Sequence, residues 1–266
     1  MRLKISHTTQ YRFSEPVHSG LQQLRMTPLD QANQKIIDWN ISVEGGVKQL
    51  DFMDHFTNHV DLIALDSMTT QVTISCNGTV EVEDTHGVLG RHTGCTPLWL
   101  YRRAADRTAI GPGIRRLARQ VEGDRELDQM HHLMALVGEA VTYATGSSEP
   151  HWTAEEALAE GKGVCQDHAH IFLACARELK LPARYVSGYL MMDDRTEQEA
   201  MHAWAEVHVS DLGWVGFDVS NGISPDARYV RVATGLDYSD AAPVIGTRLG
   251  GTDEDLNVEI EVAQQQ

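Results

Sequence analysis

Long apolar runs are missing from this sequence. Nowhere do about 18 apolar residues follow one another, the length a membrane-spanning helix needs. The amino terminus, MRLKISHTTQYRF, carries basic residues but no apolar stretch of roughly 7 to 15 residues behind them, so it does not read as a secretory leader. The expectation is a cytoplasmic protein without a membrane partner. Cysteine is scarce as well. Cys76, Cys95, Cys165 and Cys175 are four in 266 residues, too few for a disulfide framework of this size, and reduced thiols are expected. If Cys165 and Cys175 share one helix they stand about 15 Å apart along its axis, beyond bridging range. Positive charge is short too: 22 Lys and Arg face 38 Asp and Glu, a formal net charge of -16. Such a surface repels phosphate backbones, which argues against nucleic acid as a partner. Internal repeats and low-complexity tracts are absent, and the pattern carries no signal for or against self-association.

What is present supports a folded protein with a sizeable core, since 42% of the residues are apolar. The first hundred residues hold short alternating or β-branched runs: RLKISHTTQYRF, IIDWNISVE, VDLIALD and TTQVTISCNGTVEVE. Gly45-Gly46 and Asn77-Gly78 punctuate them as hairpin turns would. This predicts an antiparallel β domain. Between residues 84 and 113 the pattern lapses into a glycine- and proline-containing connection.

From GIRRLARQVEG the period becomes helical. ELDQMHHLMALVGEAVTYA sets Leu127, Met130, Leu133, Met134, Val137 and Val141 on one stripe. TAEEALAEG opens with a capping box, Thr153 to Glu156, and ends at Gly161. A second long helix is expected from Cys165 to about Lys180, before Pro182. ARYVSGYLMM, HAWAEVHVS and GWVGFDVS then read as strands. The last block, DLNVEIEVAQ, alternates and predicts one more strand. The boundaries expected are 1–105 for an N-terminal β domain, 106–235 for an α+β core and 236–266 for a C-terminal extension with a returning strand.

The stretch GKGVCQDHAH, residues 161 to 170, draws attention to Cys165. An isolated cysteine ahead of a helix is usually a small buried hydrophobe. Here the flanking Gly161 and Gly163 allow a sharp turn, leaving the side chain on the first helical turn. There the helix dipole and free amide donors favour a thiolate and can cradle an oxyanion. A thiol nucleophile needs a base, and the base needs an orienting partner. His202 opens the strand HAWAEVHV, and Asp218 lies near the end of GWVGFDVSNG.

GKGVCQDHAH, LPARYVSGYL, HAWAEVHV and GWVGFDVSNG together resemble the successive core motifs of the transglutaminase-like superfamily of papain-type fold, and the β-rich start resembles the N-terminal domain of its bacterial members. The resemblance implies an α+β fold in which helices pack on a small antiparallel sheet, preceded by an antiparallel β domain. It implies Cys165 as nucleophile, His202 as general base and acid, and Asp218 as orienting carboxylate. The family commonly has a bulky aromatic where His168 stands and often a proline where Val219 stands; neither position belongs to the triad.

Geometry adds a condition. A two- or four-residue turn centred on Ser210 to Gly213 would pair Val209 with Trp214 and set Asp218 opposite Ala205, pointing His202 and Asp218 to opposite faces. The triad therefore requires an odd-length loop or a β-bulge. The Cys165 amide is one expected oxyanion donor. Trp152, Tyr143 and Gln166 are candidates for the second, although the two aromatics suit the core better and Gln166, like Asp167, suits a helix cap. Arg184 and Tyr185 suit either a cleft wall or packing within the sheet.

No cofactor and no metal are expected. Among the 13 histidines, His168 with His170, His131 with His132, and the group His86, His92 and Cys95 all lack ligand spacing. MMDDRTEQEA lacks the spacing of a calcium loop. The expected activity is acyl transfer on peptide or isopeptide amides through a thioester on Cys165. Hydrolysis is favoured because the core is compact, without a calcium loop or the further β domains of the animal cross-linking enzymes. Transamidation of protein glutamine is the alternative, and a non-catalytic scaffold that keeps the fold is the other. The expected partner is a peptide or protein substrate.

Overall fold

The alternating run at the amino terminus becomes one strand of 23 residues, β1 (Arg2–Leu24), with Leu3, Ile5, Phe13, Val17 and Leu24 buried. β2 (Gln34–Glu44), β3 (Gly46–Met53), β4 (His59–Leu65) and β5 (Thr69–Val82) follow. The structure, a computed structural model, describes residues 1–149 and 151–265. β1 is long enough to serve two neighbourhoods: its first half lies against β5, where Ile5 meets Gly78, and its second half lies against β4, where Leu21 meets Ala64.

Two expectations about turns are corrected here. Gly45 does turn the chain, with φ 80°, but β2 pairs with β5 and β3 with β4, so the strands on either side form no hairpin. Asn77 and Gly78 lie within β5, where Gly78 pairs with Ile5 and Trp39 and a side chain would run into the Trp39 ring.

Residues read as a connection contain a further short strand, β6 (Val88–Gly90). Then come α1 (Pro112–Ala118), α2 (Glu126–Ala140), β7 (Thr142–Tyr143), α3 (Ala154–Glu160), β8 (Lys162–Gly163) and α4 (Cys165–Glu178). α4 stops at Glu178, ahead of the expected Lys180, which takes a left-handed φ of 70° before Pro182. β9 (Ala183–Leu190), β10 (Glu197–Gln198), β11 (His202–Val209), β12 (Gly213–Phe217) and β13 (Tyr229–Gly235) come next, then α5 (Tyr238–Ala241), β14 (Val244–Gly250) and β15 (Glu254–Gln264).

The second sheet is antiparallel, in the order β13-β9-β11-β12-β6. α1 to α4 cover one face: Ile114, Leu133, Val137, Ala157 and Phe172 share a buried cluster with Ala203, Ala205 and Phe217. Apolar residues on these faces remove surface from water, the main favourable contribution holding the layers together. Leu3, Ile5, Val80 and Val262 of the first sheet pack with Tyr189, Val230 and Val232 of the second. The first sheet is not built from the amino-terminal residues alone. β14 and β15 both pair with β1, and β10, from the loop after β9, pairs with β15. The chain therefore combines a helix-covered antiparallel sheet with a larger, sheet-rich part drawn from both ends. Among the described residues no helix is long and apolar enough to cross a membrane.

Candidate functional site

The loop into α4 is built by local chemistry. Thr153 accepts from the Glu156 amide at 3.3 Å and Glu156 accepts from the Thr153 amide at 2.8 Å, the reciprocal cap that starts α3. Gly161, at φ 67°, ends it. β8 then runs parallel to β7, which sets Tyr143 beside Gly163. Asp167 Oδ2 accepts from the Val164 amide at 2.8 Å, so this carboxylate caps α4. Cys165 is left as the first residue of the helix with its side chain partly exposed.

The β11–β12 hairpin meets the condition drawn from the sequence. Val209 pairs with Gly213 across a loop of Ser210, Asp211 and Leu212, and Ala205 pairs with Phe217. An odd loop needs a residue with positive φ to return the strand, and Gly213 supplies it at 79°. Continuing the register sets Asp218 across from Trp204, on the same side as His202. His202 Nε2 donates to Asp218 Oδ2 at 2.6 Å. This leaves Nδ1 as the ring nitrogen free for another partner.

Asp218 is fully buried and well supplied with donors. Oδ2 also accepts from Tyr229 Oη at 2.7 Å and Asn221 Nδ2 at 2.7 Å, while Oδ1 accepts from the Ser220 amide at 3.0 Å. Burial opposes the charged carboxylate, yet His202, Asn221 and Tyr229 outweigh it and hold the pKa below its ordinary value. His202 moves the other way. Burial works against the imidazolium, but the Cys165 sulfur, as charge and as hydrogen-bond partner, together with Asp218, pushes the ring's pKa up to about 10. Imidazole and carboxylate are thus hydrogen-bonded, and the sulfur lines the same cleft as the imidazole.

A cleft of ≈ 750 Å³ opens over Cys165 and His202. Tyr185 and Ser187 of β9 form part of its floor, and Met192, Arg195, Glu199 and Met201 line it from the loop before β11. Thr9 and Tyr11 of β1 with Leu256 and Val258 of β15 line it from the first sheet. The cleft beside Cys165 is therefore walled by both parts of the molecule.

The remaining candidates divide. Tyr143 and Gln166 line the cleft with Cys165. Trp152 takes the core place that suited it from sequence: it is partly buried, packs against the helical core and is not among the residues lining the cleft. Tyr185 faces the cleft, whereas Arg184 bonds Glu206 at 2.6 Å and lies 3.9 Å from the centre of the Trp214 ring. His168, where the family commonly has an aromatic, is buried and hydrogen-bonded to Ser220 and to the Val141 carbonyl, and burial lowers its pKa. Among the described residues no group of three or more His, Cys, Asp or Glu side chains is arranged to hold a metal.

The residues that sequence reading missed are the supports. Asn221 follows Asp218 by three positions and could have been suspected as a local turn partner. Tyr229 could not, because β13 was not recognised as a strand.

A cysteine heading a helix lines one cleft with a histidine that is hydrogen-bonded to a carboxylate, and an antiparallel sheet carries that pair. Comparison with known proteins gives the class a name. Residues 115–219 match the model of the transglutaminase-like superfamily, and residues 3–81 match that of the bacterial transglutaminase-like N-terminal region. An uncharacterized protein of Mycobacterium leprae (strain TN) is 26% identical over 279 residues, covering 99% of each chain. An uncharacterized protein of Mycobacterium bovis is 26% identical over 272 residues, covering 92% of this chain and 87% of its own. The solved structure called "Putative Cysteine Protease from Cytophaga hutchinsonii" superposes with a TM-score of 0.80 at 20% identity, covering 99% of this chain and 90% of that one; the likeness is one of fold. The chain belongs to the transglutaminase-like superfamily, with a bacterial transglutaminase-like N-terminal region ahead of the core.

Proposed function

We propose that this protein is a thiol enzyme that transfers acyl groups from peptide or isopeptide amides through a thioester on Cys165, with water as the usual acceptor. The observation that carries the reading is the His202 Nε2–Asp218 hydrogen bond of 2.6 Å beside a cleft that Cys165 and His202 both line. It fixes the tautomer and leaves Nδ1 for the sulfur, the arrangement a thiolate–imidazolium pair requires.

In this reading the Cys165 sulfur adds to the amide carbon, and the carbonyl π electrons move onto oxygen. Collapse of that intermediate breaks the C–N bond, and the departing amine takes the proton from His202 Nδ1. Water then attacks the thioester while His202 accepts its proton. The carboxylic acid leaves and the thiol returns. Asp218 stabilises the charged ring throughout, without taking the proton itself.

Hydrolysis as the outcome is supported by the cleft's openness to solvent around a compact core and by the name borne by the Cytophaga hutchinsonii structure. One observation favours transamidation as a second reading: Glu197 and Glu199 line the cleft and would draw in a cationic amine acceptor. All four cysteines are free, which suits a reducing cytoplasm.

The test has an internal standard in Cys95, which is exposed. At pH 6 iodoacetamide should label Cys165 at least tenfold faster than Cys95, and His202→Ala should abolish the difference. Equal labelling of the two thiols would sink the nucleophile and favour a scaffold. Digestion of a peptide library with an amine acceptor present, comparing wild type with Cys165→Ser by mass spectrometry, separates hydrolysis from transamidation.

A further inference from the structure

We propose that the Tyr185 hydroxyl, together with the Cys165 amide, receives the oxyanion formed when Cys165 adds to an acyl carbon. This rests on the thioester reading above and assigns a second donor to it.

Two other buried phenols of the second sheet are hydrogen-bonded: Tyr189 to His7 Nδ1 at 2.9 Å and Tyr229 to Asp218 at 2.7 Å. Tyr185 is 1% exposed, lines the cleft with Cys165, and among the described residues its hydroxyl has no hydrogen-bond partner. Its oxygen is also not among the polar atoms sealed from solvent, so the hydroxyl opens on the cleft.

Position and rigidity suit the role. The Tyr185 ring is held between His170, at 5.1 Å between centroids, and Tyr238, at 6.2 Å, so the hydroxyl is fixed before substrate arrives. Burial first, and then the charge on Cys165, push its pKa well up, which keeps the proton available for donation. On the helix side, the Val164 amide is already taken by Asp167, while the Cys165 amide belongs to the first turn, whose N–H groups have no intrahelical acceptor.

Two reactions of the same sulfur separate this role from a structural one. Alkylation by iodoacetamide displaces iodide at a saturated carbon and forms no oxyanion. Acylation by a p-nitrophenyl ester passes through one. Tyr185→Phe should alkylate at Cys165 within about twofold of wild type while its acylation rate falls roughly 10²- to 10³-fold. Acylation within threefold of wild type overturns the assignment. A parallel fall in both rates also overturns it, because Tyr185 would then be ordering the thiol–imidazole pair. 3-Fluorotyrosine at position 185 keeps the shape and donates more strongly, so acylation should hold or rise; a loss like that of phenylalanine counts against the donor. If wild-type Cys165 alkylates no faster than Cys95, it is the thioester reading that fails first.

Discussion

The Asp218 oxygen that receives His202 Nε2 at 2.6 Å also receives the Tyr229 hydroxyl at 2.7 Å. The carboxylate is therefore anchored from a third strand, β13, as well as by its own turn. An anchored carboxylate cannot rotate away when the imidazole gives up its proton. Asp218→Asn should lower acyl transfer by roughly 10³- to 10⁴-fold, by presenting a donor where the ring needs an acceptor. Tyr229→Phe, which removes one of several donors to a charged group, should cost about tenfold and shift the acid limb of the rate profile upward. Single-turnover acylation across pH 4 to 8 measures both. An unchanged profile in Tyr229→Phe would show that the turn alone holds Asp218.

The imidazole gives a stability signature of its own. Burial opposes its charge, yet Cys165 and Asp218 push its pKa from an ordinary 6.5 up to about 10. Below the ordinary value folded and unfolded chains both hold the proton, and the stabilisation is fully present. As pH rises from there toward about 10 only the folded chain keeps it, so the contribution is lost across that window. Thermal melting from pH 6 to 10 should show wild type losing its advantage over His202→Gln as pH climbs. In Cys165→Ser the loss should come at lower pH, since the sulfur that holds the ring's proton most strongly is gone.

Much of this site was legible in the sequence because its parts are local. The glycines around Cys165, the Thr153 to Glu156 cap and the parity argument for the β11–β12 loop each depend on residues near one another in the chain. The cleft wall was not. Thr9, Tyr11, Leu256 and Val258 reach it only because β15 returns to pair with β1, a contact between the two ends that no periodicity reveals. Gly78 misled for a similar reason: it marks the passage of Trp39 from β2, and looks like a turn only when the neighbouring strand is unknown. Trp152 suited two roles from sequence, the core the better, and it packs against the helical cluster.

That wall should carry specificity. Leu256 is about half exposed and lines the cleft from β15, far in sequence from the thiol. Leu256→Asp adds a charge to the apolar side of the groove without touching α4 or β11. The expected result is a several-fold rise in KM for a peptide substrate, with the alkylation rate of Cys165 unchanged. A variant with wild-type KM would mean that substrate avoids the first sheet.

Two buried histidines oppose folding in acid. Burial pushes His7 down to about 4 and His170 down to about 3, so both stay neutral in the folded chain while the unfolded chain binds protons below 6.5. Stability should therefore fall as pH drops from 6.5 toward 4. His7 bonds Tyr189 and Thr9, both at 2.9 Å, and His7→Gln retains polar atoms in that space. Urea unfolding at pH 7 and pH 4.5 should show a smaller difference for this variant than for wild type.

Gly163 ties the placement of Cys165 to a single missing methyl group. A Cβ at that position would stand 2.8 Å from Asp167 Cβ and from Oδ2, the oxygen that caps α4. Either the carboxylate moves and the Val164 amide loses its acceptor, or the loop shifts and takes Cys165 with it. Loss of a cap costs about 1 kcal/mol, which a domain of this size can absorb. A thiol displaced by an ångström from its imidazole costs about a hundredfold in rate. Gly163→Ala should accordingly melt within a few degrees of wild type yet lose most of the selective labelling of Cys165 over Cys95. A variant that labels normally would mean that the loop tolerates a side chain and that the glycine serves only the bend into the helix.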